Sequence, residues 1–171
     1  MSKRILAMLL VVMLLVGMLP TNLFAFTASA EEGSEPASVS MEALRTETAI
    51  TVDGAFSETA WSSWTKIPAS AEGAPSGGVA AAWDLEKLYL AINADADTAA
   101  LTVNGTALTV NLSEGTVTGV DGAVSAGSNG VVEIAIPLAS LDITLSVYGQ
   151  SVAISGSLSK GGVTSTLAAD S

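Results

Sequence analysis

From Ala49 onward the chain alternates apolar and polar residues with a period of two, the mark of half-buried strands. Val79, Ala81 and Trp83 share one face of a strand running from Val79 to Asp84, with Ala80, Ala82 and Asp84 on the other. In the next strand, Leu88 to Ala94, Leu88, Leu90 and Ile92 alternate with Tyr89, Ala91 and Asn93. Leu101 to Val110 reads as a hairpin, because Asn104-Gly105 suits a tight primed turn. Val132, Ile134 and Ile136 then face a core while Glu133 and Ala135 face out, and Pro137 ends that strand or sets it near an edge. Ile143, Leu145 and Val147 form another stripe, followed by Val152, Ile154 and Leu158. Lys160-Gly-Gly162 turns the chain into a last strand, Val163 to Leu167.

Upstream of these, Ile50 to Val52 reads as a strand closed by an Asp53-Gly54 turn. One short helical turn follows near residues 57–61, capped by Ser57 and returning Trp61 to the core. Short strands at regular spacing with turns between them predict an all-β, antiparallel sandwich of roughly eight to ten strands. Its core is thin, being rich in Ala, Ser, Thr and Gly, and its largest pieces are Trp61, Trp83 and Phe56.

The ends read differently. Lys3 and Arg4 precede an apolar run from Ile5 to Leu19, Pro20 and Asn22 break it, and Ala28-Ser-Ala30 offers a small-residue cleavage site. That layout is a secretory signal peptide over residues 1–30, and the run is shorter than the roughly 20 residues that span a bilayer. Residues 31–47, rich in Glu, Ser, Ala and Pro, read as a flexible acidic leader, with Met41 to Leu44 able to form a helical turn. Residues 48–171 are then the sandwich domain. Its style, poor in aromatics and rich in Ala and Gly, points to a bacterial source.

Cleavage at residue 30 removes two basic residues and leaves 4 against 17 acidic ones, a net charge of −13. Such a surface repels nucleic acid and anionic lipid and suits a soluble extracellular protein with neutral or cationic partners. The chain has no cysteine and no histidine. Disulfides, a lipidated cysteine anchor, Ser-His-Asp and Cys-His catalysis, and His-ligated zinc or haem are excluded together. No two acidic residues are placed for a glycosidase pair, so the expectation is a non-enzyme.

Ala49 to Trp61 and Ala82 to Ile92 together resemble the opening of the family 9 carbohydrate-binding modules and their DOMON-like relatives. The resemblance returns at Val132-Glu-Ile-Ala-Ile-Pro-Leu138 and Leu141. It implies an immunoglobulin-like sandwich. It also implies structural roles for Asp53, Gly54, Glu58 and Trp61, for Trp83 and Asp84, and for Glu133 and Pro137. Sugar-binding members stack ligand on tryptophans in later segments, whereas this chain has none after Trp83. The family's binding residues therefore do not carry over.

A sugar site needs a flat aromatic with polar neighbours, and the candidates are Trp64, Tyr89 and Tyr148. Asp95 and Asp97, alternate carboxylates in a loop, are candidate calcium ligands. The expected function is a secreted, non-catalytic module for polysaccharide or cell-surface glycan, with no cofactor beyond calcium. The competing reading is an extracellular structural or protein-interaction sandwich that binds no sugar. It would add a partner protein, or a copy of itself, at edges such as Val163 to Leu167.

Overall fold

A computed structural model describes residues 41, 43–144 and 152–167, all within the unit Glu35–Ser171. The signal-peptide reading of residues 1–30 and the candidate Tyr148 lie outside the described residues.

Among the described residues, eleven strands make two sheets. The first contains β1 (Ala43–Arg45), β2 (Thr65–Ile67), β3 (Gly77–Trp83), β4 (Lys87–Ala94), β8 (Val124–Ser128) and β9 (Val131–Pro137). Its order is β1-β3-β4-β9-β8, and β2 shares the β3 edge with β1. The second contains β5 (Thr98–Val103), β6 (Thr106–Asn111), β7 (Thr116–Thr118), β10 (Ile154–Lys160) and β11 (Val163–Thr166), in the order β11-β10-β5-β6-β7. The expected all-β sandwich is what forms. Every pair is antiparallel except β1 with β3, which is parallel. The stretch read as a leader therefore supplies a strand at its end, where Ala43 and Leu44, read as part of a helical turn, pair with Ala81 and Ala82 instead.

Turn chemistry sets the hairpins. Asn104-Gly105, Asn129-Gly130 and Gly161-Gly162 all adopt positive φ at both residues, the backbone that a two-residue primed turn requires. Between the sheets lies the main core. Val79, Leu90, Ile92, Ile134 and Ile136 come from one sheet, and Leu101, Val103, Leu108, Val110, Ile154 and Leu158 from the other. Each such side chain fully buried is worth about 1.5–3 kcal/mol.

A second core lies on the opposite face of the six-stranded sheet. Ala80, Ala82, Tyr89, Ala91 and Ala135 are covered there by Ile50, Trp61 and the half-buried Val52, Phe56 and Trp64. The covering segment corrects three expectations. Ile50 to Val52 is not a strand: it lies over the sheet with no ladder of its own. The helical turn is a 3-10 turn at Thr59–Ser62 with Glu58 at its N-cap and no side-chain cap, so Ser57 does not cap it. Glu133 does not face solvent; it is fully buried beneath the segment.

One edge of the sandwich is met at one point by a single residue. Ser70, in the connection from β2 to β3, donates its backbone N–H to Ser165 Oγ (3.1 Å) and its hydroxyl to the Thr164 carbonyl (2.9 Å). Ser165 is buried, and Thr164 lies on β11 at the rim of the second sheet. The edge expected to add a partner strand is thus occupied at Thr164.

Candidate functional site

The covering segment is held by one carboxylate. Glu133 Oε2 accepts the backbone N–H groups of Asp53 (3.0 Å) and Gly54 (2.8 Å), and Oε1 accepts the Trp61 indole N–H (2.9 Å). A buried charge is tolerated only when such donors surround it. Asp53, Gly54, Trp61 and Glu133 are therefore parts of one structural joint. Pro137 closes β9 and leads into a 3-10 turn at Leu138–Leu141. Trp83 is half-buried against the main core, with the Arg45 guanidinium 5.7 Å from its ring centre. Among the described residues Glu58 accepts only the Ser57 hydroxyl, at 3.4 Å.

Tyr89, a candidate sugar platform, is corrected by its burial: only 1% of it is exposed, and its hydroxyl donates to Asp84 Oδ2 at 2.7 Å. Because the outer face of the sheet is covered, no ring face is left for a ligand. Burial and the neighbouring Asp84 carboxylate push the Tyr89 hydroxyl up to about 12. Burial also pulls Asp84 upward, but the Tyr89 hydroxyl and the backbone N–H groups of Glu86 (2.8 Å) and Lys87 (2.7 Å) outweigh it and hold the carboxyl below its usual value. These contacts close the β3–β4 turn.

Asp95 and Asp97 are also engaged. Asp95 pairs with Lys160, and Asp97 Oδ2 accepts the Gly161 N–H at 3.0 Å, so both steady the β10–β11 turn. Among the described residues no three His, Cys, Asp or Glu groups gather for a metal ion.

Trp64 remains open. After the 3-10 turn the backbone is extended at Ser63, and alternation then points Trp64 and Lys66 outward while Ile67 enters the main core. Three contacts fix the indole. Its N–H donates to the Trp61 carbonyl (2.9 Å), its ring meets Phe56 with centroids 5.1 Å apart, and its six-membered ring rests on Gly78. A Cβ at Gly78 would come within 3.2 Å of the Trp64 ring, so glycine is what admits the aromatic there.

The register then sets a row across the sheet beside Trp64: Lys66, Gly78, Asn93, Val131 and Ser128. Lys66, Asn93 and Ser128 are exposed. This end of the outer face is where the covering segment stops, and it offers a held aromatic with an ammonium, an amide and a hydroxyl. Sequence reasoning found Trp64 and missed the rest, because the row exists only through pairings between strands distant in sequence. A shallow groove of about 480 Å³ lies elsewhere, between residues 44–50 and 58–60, and its lining has no aromatic residue.

No family model matches the chain, and no curated protein matches it. The fold, however, is shared with solved structures. One is a family 9 carbohydrate binding module from Caldicellulosiruptor kristjanssonii in complex with cellotriose. It is 11% identical at a TM-score of 0.53, with 74% of this chain and 84% of that one covered. A family 9 module from the same organism in complex with glucose is 14% identical at a TM-score of 0.54, covering 75% of this chain and 83% of that one. At such identity the likeness is one of fold, and it matches the architecture that the sequence motifs implied.

Proposed function

We propose that this chain is a secreted, non-catalytic module that holds carbohydrate at the open end of its outer sheet face, with Trp64 as the platform. The fold supports the reading, since the similar solved modules were captured with cellotriose and glucose. The observation that carries it is Trp64 itself. It is partly exposed, fixed by Trp61, Phe56 and Gly78, and flanked by Lys66 and Asn93. A ring already immobilised loses little freedom on binding, and its neighbours supply the hydrogen bonds that sugar hydroxyls need. Export follows from the charged, apolar and small-residue layout of residues 1–30.

The alternative, strand addition at Val163–Thr166, has less in its favour, because Ser70 already takes the Thr164 carbonyl. Affinity electrophoresis through a panel of soluble polysaccharides tests the proposal. Retardation on a glycan, lost in Trp64→Ala while the variant still unfolds cooperatively, is the expected result. Uniform mobility of folded protein across the panel overturns it.

A further inference from the structure

Of the basic residues in the described part of the chain, three are committed. Arg45 lies over Trp83, Lys160 pairs with Asp95, and Lys87 sits beside Asp84. Lys66 is different. It is exposed, it flanks Gly78 under the Trp64 ring, and among the described residues no carboxylate lies within ion-pair reach of it. Of the acidic groups near it in the register, Asp95, two residues beyond Asn93, is paired with Lys160, and Glu133, in the adjacent row of the same face, has its oxygens taken by Asp53, Gly54 and Trp61. An ammonium donates and never accepts, and the Trp64 indole N–H is spent on Trp61, so the ring brings only its face. Neutral sugar hydroxyls both give and take hydrogen bonds. A carboxylate only takes, and it is the group that a free ammonium rewards.

We propose that Lys66 makes the Trp64 platform select glycans that carry isolated carboxylates, meaning uronic acid side groups on an otherwise neutral chain. The inference rests on the carbohydrate reading above and narrows it. Without residues 1–30 the chain carries 4 basic against 17 acidic residues, so carboxylates laid beyond the reach of Lys66 meet a molecule of like sign. Charges farther apart than roughly 8 Å are screened at physiological salt. A single uronate at Lys66 therefore feels the cation, whereas a contiguous polyuronate lays further carboxylates along an acidic surface.

The test compares glucuronoxylan with its carboxyl-reduced form, the same chain with its uronates made neutral, and adds polygalacturonate as the dense polyanion. Dissociation constants are taken from affinity electrophoresis of the purified protein. Native glucuronoxylan is expected to bind about fivefold tighter than the reduced form, the size of one exposed ion pair. Polygalacturonate is expected to bind less well than glucuronoxylan. Lys66→Gln closes the gap between native and reduced chains, whatever it costs the binding of both, and Lys66→Arg preserves it. Equal binding of native and reduced chains by the unaltered protein overturns the selectivity and leaves the platform standing, as does a gap that survives in Lys66→Gln. Polygalacturonate binding as tightly as glucuronoxylan overturns the preference for isolated charges. No retardation on any of the three overturns the platform and the selectivity together.

Discussion

Replacing Glu133 with Ala strands three donors at once, the N–H groups of Asp53 and Gly54 and the Trp61 indole. Unsatisfied buried donors cost about 1–3 kcal/mol each, so the variant should lose about 3 kcal/mol or more in urea unfolding. The Tyr89–Asp84 pair makes a pH prediction with a definite sign. Tyr89 keeps its proton to about 12 in the folded protein, against about 10 in an unfolded chain. Between those values the folded state holds the extra proton, so stability falls as pH rises, while below about pH 10 the contribution is intact. Asp84 runs the other way. Its contribution is complete above about pH 4 and is lost as pH falls through its lowered value. Urea unfolding at pH 8 and pH 11 should show a smaller alkaline loss in Tyr89→Phe than in the unaltered protein. Alternation placed Glu133 and Tyr89 opposite the main-core stripes and was right to do so. It carries no sign of whether that second face is covered, and so both looked solvated.

At the scale of elements, the strands of the two central hairpins and the Asn-Gly and Gly-Gly turns were legible, because period-two patterning and positive φ are local properties. The row from Lys66 to Ser128 was not, since it depends on a chain of pairings between separate strands, the longest in sequence being Asn93 with Val131. Three backbones also meet at β8 in a way no local rule foresees. A Cβ on Gly54 would come 2.6 Å from the Gly127 Cα, and one on Gly115 would come 2.2 Å from the Gly127 oxygen. Gly127 itself has φ +141 and would press a Cβ to 2.0 Å from the Val131 oxygen. Gly127→Ala should therefore cost about 2 kcal/mol or more by denaturant unfolding. At the opposite edge Ser70→Ala should cost about 1 kcal/mol, since the Thr164 carbonyl loses its partner. Light scattering should also show slow, concentration-dependent growth as the rim of β11 opens.

The whole chain is acidic, with a formal net charge of −11, or −13 without residues 1–30. Self-repulsion of that kind opposes compaction and is relieved by screening. Thermal unfolding should therefore shift upward as sodium chloride rises from 10 to 150 mM, roughly the range over which the screening length falls from 30 to 8 Å. The same salt should weaken a Lys66 contact with a uronate, so fold stability and ligand selectivity should move in opposite directions in one titration. The pin at Ser70 reaches further than its two hydrogen bonds suggest. Domains strung on one chain, or gathered along one polymer, meet one another at effective concentrations around millimolar. A sandwich with an open rim would exchange strands with its neighbours under that crowding. With Thr164 already answered from within, copies crowded together have one less point on that rim at which to exchange strands.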